Sequence, residues 1–377
     1  MASIEKALIV GGGIGGLCAA IEFAKRGIAV DLVEINPQWS AHGAGITLSG
    51  PTLRALRTVG IVDDVLKRGG HWSAIDICAA DGTLVATMPL APAQGAEDLP
   101  GAAGILRPAL ADILSQAARA AGAPVRLGLT FESIHPNEAG VDVVFSDGST
   151  GRYDLVVGAD GVNSKVREAL FPGTPVPAFT GQSSWRAVVP RTRQNSTMFI
   201  GKTAKAGLNP VSDSESYVYL LDPREHADFI PHEQRPALLA DLLPEFGGAV
   251  GEIRRGLQDG SLDPQRIVYR PLMGLMLPAP WHRGRVVLLG DAVHATTPHL
   301  ASGAGLAVEA AVVLAEELGR GADVESALTA YAQRRCERAH LVVASSMRIG
   351  EIEQTGGSKE EHTRVMVHAM RALTAPI

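Results

Sequence analysis

Ala7-Leu8-Ile9-Val10 runs directly into Gly11-Gly12-Gly13-Ile14-Gly15-Gly16. A short, wholly apolar run suits a strand buried on both faces of a parallel sheet. Leu17 to Arg26 then reads as an Ala-rich helix ending at Gly27, a good C-terminal glycine. Ala29-Val30-Asp31-Leu32-Val33-Glu34 returns to the strand pattern, so the segment is a βαβ unit. Its turn carries the GxGxxG spacing at Gly11, Gly13 and Gly16. The first glycine permits the tight turn. The second lets backbone approach a pyrophosphate, and the third lets helix and strand pack closely. Ile14 and Gly15 lie where the helix begins, with free N–H groups and a positive dipole end that suit phosphate. Glu34 falls 18 residues beyond Gly16, where an acid can accept hydrogen bonds from ribose hydroxyls. The segment predicts a dinucleotide-binding unit, with NAD and FAD both open.

Further along, residues 52 to 68 hold apolar positions at helical spacing. Residues 73 to 88 read as strand, Asp81-Gly82 turn and strand. Arg107 to Ala121 reads as a helix, and residues 124 to 157 as three strand-like runs. Residues 173 to 280 change texture: prolines, β-branched residues and alternation, as in Ser216-Tyr217-Val218-Tyr219-Leu220, predict a mainly antiparallel sheet with one or two helices near 233 to 257. Val286-Val287-Leu288-Leu289 restores the buried-strand pattern, and two long helices follow over 303 to 318 and 323 to 349.

Several classes are excluded by composition. The net charge is −6 with no Lys/Arg-rich run, so a nucleic-acid partner is not expected. No apolar run approaches the ~18 residues of a membrane span, and no secretory signal or membrane anchor is expected. Cys18, Cys78 and Cys336 are odd in number and far apart, which fits a reducing cytoplasm and neither a disulfide framework nor a metal site.

Two further motifs bear on the cofactor. Asp154-Leu155-Val156-Val157-Gly158-Ala159-Asp160-Gly161 ends a strand in small residues and an acid, and continues through Ser164 to Arg167. Gly290-Asp291-Ala292-Val293-His294, with Pro298 after it, ends another strand and precedes the glycine-rich helix start Gly303-Ala304-Gly305. Asp291 can bind a ribityl or ribose hydroxyl, and the N–H groups of 303 to 305 can face a ring carbonyl or a developing negative charge. In this order and spacing the three motifs resemble those of the single-component FAD-dependent aromatic hydroxylases, the para-hydroxybenzoate hydroxylase-like flavoprotein monooxygenases.

The resemblance covers nearly the whole chain. It implies an α/β, Rossmann-like FAD-binding fold of the glutathione reductase type, with an inserted mainly antiparallel substrate-binding sheet and C-terminal helices. It divides the chain into an FAD-binding segment 1–172 with small inserted strands near 73–105, a substrate-binding sheet 173–280, a return segment 281–320 and C-terminal helices 321–377. It assigns FAD to Gly11, Gly13, Ile14, Gly15, Gly16 and Glu34, to Gly45 in the Gly43-Ala44-Gly45-Ile46 segment, and to Arg107, Asp160, Gly290, Asp291, Pro298, Gly303, Ala304 and Gly305. Tyr331-x-x-x-Arg335-x-x-Arg338 matches a pattern of the family's C-terminal helices. The chain departs from many members at Ala301-Ser302-Gly303, where they carry Gly-Gln-Gly, and at Ala310, where they carry Asp.

The implied reaction is hydroxylation of an activated aromatic or N-heteroaromatic ring through a flavin C4a-hydroperoxide. NADH or NADPH is the co-substrate, O2 the oxidant and a small aromatic compound the substrate. Decarboxylative hydroxylation of a hydroxypyridine acid and a non-oxygenating flavin reductase of the same fold are the alternatives. A homodimer is one option for assembly. Tyr217 and Tyr219 share a strand face, so their hydroxyls are candidates to meet a phenolate, and Arg186 to pair with an anionic substrate. His299 follows Pro298 as in 6-hydroxynicotinate monooxygenase-like members, which implies a substrate contact or base, with an ordinary imidazole pKa suited to neutral pH. His294 reads as a structural hydrogen-bonding residue.

Overall fold

The strand Lys6–Val10 lies in the middle of a sheet, as its apolar sequence requires. It pairs in parallel with Ala29–Glu34 on one side and Leu155–Gly158 on the other. Val125–Leu127 extends the sheet beyond the former. Val286–Leu288 extends it beyond the latter in parallel, and His282–Arg283 closes that edge antiparallel. The computed structural model describes residues 4–39 and 43–377. Among these, the sheet has six strands. The helix Ile14–Ala24 packs on the helices Arg107–Ala120 and Gly303–Arg320.

The three runs expected between 124 and 157 are five short strands. Phe131–Asn137, Gly140–Phe145 and Thr150–Tyr153 form a separate antiparallel meander. Asp154 alone separates the last of these from Leu155–Gly158. Its carboxylate accepts from the N–H groups of Glu5 and Lys6 at 2.8 and 2.9 Å, which pins the point where the chain changes sheets. The helical stretch expected over 52–68 is likewise broken, into Gly50–Val59 and Val62–Arg68, because Gly60 takes a left-handed φ of 89°.

The second large sheet has seven strands among the described residues and is antiparallel except for one pair. Its long central strand Ala178–Pro190 pairs with Glu215–Pro223 and Ile267–Gly274. Ala74–Ala79 and Leu84–Pro89, which the sequence groups with the first segment, complete its far edge by parallel pairing of Ala74–Ala79 with Ser196–Ile200. Trp185, Ala187, Val218, Leu220 and Tyr269 point to one face and form a core closed by the helices Arg235–Asp241 and Gly248–Gln258. The alternate residues Arg186, Tyr217 and Tyr219 point to the other face, toward the strand Gly45–Ser49.

Three helices finish the chain. Gly303–Arg320 is followed by Val324–Thr355, which runs past its expected end to the left-handed cap at Gly356, and by Lys359–Thr374. Glu309 is buried between the first two. Its carboxylate accepts from Arg335 at 2.7 Å and from Arg338 at 2.8 Å. Arg338 and Arg54 also donate to the last carbonyls of the third helix, at Ala372, Leu373, Thr374 and Ala375. The Arg335 and Arg338 pattern therefore fastens the C-terminal helices together.

Candidate active site

The glycine turn is shaped from both sides. A Cβ on Gly11, whose φ is 107°, would lie 2.5 Å from the Ala159 carbonyl oxygen. One on Gly16 would lie 2.0 Å from the Gly11 carbonyl oxygen, and one on Gly15 2.6 Å from Leu289. A Cβ on Gly13 would meet nothing within 4 Å. Open space thus borders the one glycine expected to let backbone approach a ligand. The helix beginning at Ile14 has no side-chain cap, so its first N–H groups are free for an anion. Glu34 accepts from the Gly12 N–H at 2.7 Å and the Asn36 N–H at 2.8 Å. A carboxylate has lone pairs beyond these two bonds. Trp39 was not singled out from the sequence. Its Nε1 donates to the Gly12 carbonyl, and the Arg119 guanidinium lies 5.3 Å from its ring centre.

The second and third motifs are joined. Asp160 accepts from the Ser164 hydroxyl and from the N–H groups of Lys165 and Val166, so both of its oxygens are used within the chain. Arg167 is buried and donates to the carbonyls of Ala292 and Val162. Gly290 adopts φ 66° and ψ −139°, a conformation open to glycine, and turns the chain into Asp291. The Asp291 carboxylate is open to the cleft and makes no hydrogen bond among the described residues. The protein bulk around it raises its pKa, and Arg107 partly offsets this. The Arg107 guanidinium also lacks a hydrogen-bond partner among the described residues. Burial and then Arg186 lower its pKa to about 10. The helix Gly303–Arg320 starts without a side-chain cap, with the N–H groups of Gly303, Ala304 and Gly305 in its first turn. Gly305 lies against Thr52, where a Cβ would come within 2.3 Å of the hydroxyl.

These features fit FAD. Two uncapped glycine-rich helix starts adjoin, since a Cβ on Gly15 would sit 3.3 Å from Ala307. To these are added open space at Gly13 and two charged groups, Asp291 and Arg107, with no hydrogen-bond partner among the described residues.

Gly45 connects this cleft to the seven-stranded sheet. Its carbonyl accepts from Arg186 Nη1 at 3.0 Å, and a Cβ there would lie 2.2 Å from the Tyr217 ring. Arg186 stands 5.6 Å from the centre of that ring. The Tyr217 hydroxyl is shared with Thr47 Oγ1 at 2.7 Å and with Asn209 Nδ2 at 3.3 Å, so it belongs to an internal network. The Tyr219 ring lies 5.7 Å from the Tyr217 ring. Burial, the Tyr217 hydroxyl and Glu353 push the Tyr219 phenol upward against Arg186, which keeps it a proton donor at neutral pH.

Half-exposed Pro298 opens the short turn Pro298–Leu300, which carries His299. Its Nδ1 is 2.8 Å from Thr297 Oγ1, and its Nε2 has no hydrogen-bond partner. Burial lowers its pKa to about 4, with Glu353 opposing and His362 and Lys205 assisting. This corrects the expectation of an ordinary imidazole pKa: His299 is neutral at pH 7. His294 is corrected too. Both its ring nitrogens are buried without partners among the described residues, and it packs 5.8 Å from Trp281 instead of hydrogen bonding. The acid beside His299, Glu353, gave no motif. The signal that was available is Gly350, an isolated glycine inside a helix pattern.

Comparison with known proteins agrees with this geometry. The family profile described as FAD binding domain matches residues 5–346. The 2-heptyl-3-hydroxy-4(1H)-quinolone synthase of Pseudomonas aeruginosa is 32% identical over 92% of this chain and 89% of its own. The 6-hydroxynicotinate 3-monooxygenase of Bordetella bronchiseptica is 30% identical over 89% of this chain and 88% of its own. The crystal structure of Klebsiella pneumoniae HpxO with FAD and uric acid superposes with a TM-score of 0.82 at 25% identity, covering 99% of this chain and 94% of that one. The chain belongs to the FAD binding domain family and is an FAD-dependent flavoprotein monooxygenase.

Proposed function

We propose that the protein hydroxylates an N-heteroaromatic ring carrying an ionisable oxo or hydroxyl group, with NADH or NADPH as reductant and O2 as oxidant. Bound FAD supplies the electron transfer from the nicotinamide and the activation of O2. The turn 11–16, Glu34, Arg107, Asp291 and the helix start 303–305 hold the cofactor. Gly45 lets backbone approach it beside Tyr217. Arg186 offers a fixed positive charge to an anionic ring oxygen. Tyr219 offers a hydroxyl that remains protonated, and neutral His299 can take or share a ring proton.

The observation that carries this reading is the position of Arg186, bonded to the Gly45 carbonyl on the same sheet face as both tyrosines. Named substrates of the relatives, urate and 6-hydroxynicotinate among them, are rings of this kind. The test is NADH and NADPH oxidation under air by the FAD-loaded protein, with urate, 6-hydroxynicotinate, hydroxyquinolines and simple phenols as probes. Ring-stimulated oxidation coupled to a product one oxygen atom heavier supports the proposal. Oxidation that proceeds equally well without O2 sinks it.

A further inference from the structure

Glu353 stands between the cleft and the surface. Its Oε2 is 3.6 Å from His299 Nε2. Its Oε1 lies 2.9 Å from His362 Nε2 and accepts from Lys205 Nζ at 3.0 Å. One oxygen is thus satisfied from the outer side, and the other faces a buried imidazole whose Nε2 has no hydrogen-bond partner. Four elements meet here: the turn Pro298–Leu300, the helices Val324–Thr355 and Lys359–Thr374, and the strand Lys205–Pro210. Their charged and titratable groups at this point are His299, Glu353, His362 and Lys205, with Tyr219 and Arg186 beside them.

We infer that Thr297, His299, Glu353 and His362 form a proton wire that connects the substrate position to solvent. The inference rests on the placement of substrate beside His299 proposed above. In the tautomer it requires, His299 Nδ1 accepts from the Thr297 hydroxyl and Nε2–H points at Glu353. A proton leaving the ring hydroxyl arrives at the Thr297 oxygen as that hydroxyl gives its own to Nδ1. Nε2 releases its proton to Glu353 Oε2; the carboxyl group then turns to carry that proton to His362 Nε2, and His362 Nδ1 gives its own proton to water. One O–H bond on the ring breaks and one proton reaches solvent; every member of the wire keeps its charge, and each imidazole is left with its N–H on the other nitrogen until the ring turns back.

Two features favour this over a simple anchor for the last helix. The 3.6 Å between Nε2 and Oε2 is longer than a hydrogen bond, so a small side-chain shift precedes the inner step. Gly350, one helical turn before Glu353, lets the ring lie directly against the helix that carries the acid: a Cβ there would lie 2.9 Å from His299 Cε1 and 3.2 Å from Nε2. Gln182 Oε1, also buried without a partner, faces the same Cα. Burial works against the charged form of Glu353, but His362 and Lys205 hold its carboxyl below the usual range, so the wire rests with its acceptor deprotonated.

Two measurements on the FAD-loaded protein test the wire. The first needs no substrate: 15N shifts of labelled histidine report the His299 tautomer. Nε2–H supports the wire and Nδ1–H overturns it. The second compares E353Q, E353D and H299Q, using whichever probe ring best stimulates oxidation. The wire predicts that E353Q lowers kcat by about 10- to 100-fold with KM and FAD retention little changed. It also predicts an altered kcat–pH profile, partial rescue by added imidazole and partial recovery in E353D. A wild-type kcat and pH profile in E353Q, with H299Q impaired, overturns the wire and leaves the site reading intact. Loss of kcat with lowered Tm and an unaltered profile overturns it in favour of an anchor. If H299Q is also unimpaired, the placement of substrate beside His299 fails with it.

Discussion

Arg167 Nη1 donates to the carbonyl oxygen of Ala292 across 3.0 Å, and so ties the segment after one buried strand to the segment after its neighbour. Its other amino group holds the Val162 carbonyl. A charged group at 6% exposure with neutral acceptors is costly to rearrange. Arg167→Met should destabilise the fold by about 2 kcal/mol and weaken FAD retention. Denaturant unfolding and the flavin-to-protein absorbance ratio measure the two effects.

The first two glycines of the GxGxxG turn separate two kinds of damage. Gly11→Ala puts a methyl group into the Ala159 carbonyl at a left-handed φ, so the protein itself should lose stability. Gly13→Ala meets no protein atom within 4 Å. It should keep the Tm of the flavin-free protein while losing FAD affinity about tenfold or more. Equal affinities in Gly13→Ala and the wild type would contradict the placement of the cofactor.

Buried Glu309 should be the most sensitive position of the C-terminal helices. Its two arginines have exposures of 1% and 13%, and Glu309→Leu leaves them facing an apolar side chain. Removing one partner of a buried pair costs about 3–5 kcal/mol. Chemical unfolding should show a loss of that order, whereas Lys165→Ala, in an exposed pair with Glu168, should show almost none.

Acid should destabilise the protein through its histidines. Burial lowers His294 and His299 to about 4 from 6.5. Between those values the unfolded chain binds protons that the folded chain does not, so stability falls as pH drops from 6.5 toward 4. Each group can contribute about 3 kcal/mol to that loss. The Tm measured across this window should fall, and less steeply in His294→Leu, which removes one of the two protonations.

Gly350→Ala should act on His299 and on Gln182 beside it. The added methyl overlaps the ring edge, so kcat should fall severalfold while the thermal stability changes by no more than about 1 kcal/mol. Restoration of kcat by a smaller residue at 299 would contradict a role for the imidazole.

What could be read from the chain alone follows from where backbone, rather than side chains, sets the requirement. Gly11, Gly16 and Gly290 are legible because close backbone approach or an unusual φ admits little else. The buried strands are legible because a two-sided apolar environment leaves no polar positions. The contact of Tyr217 with Gly45 is different. Alternation shows which face Tyr217 shares with Tyr219, but only tertiary packing brings that face to residue 45. Asp160 shows a further limit. An acid after a strand is suited to a ligand, yet here the next helix takes both oxygens. Glu353 was hidden for a related reason: it sits among Glu351, Ile352 and Gln354 with no spacing to distinguish it from an exposed helix acid. Its role depends on His299 and His362, which arrive from other elements.

The strand order of the six-stranded sheet has a consequence for biosynthesis. Lys6–Val10 is made long before Val286–Leu288 finishes the sheet, and the second uncapped glycine-rich helix start follows at Gly303. At translation rates of about 5–20 residues per second, the first strand waits on the order of 15 to 60 s for its last partners. The glycine turn therefore spends its early life exposed on a growing chain, without the second half of its cradle. A flavin held by both helix starts can be bound only after Gly303 has been made.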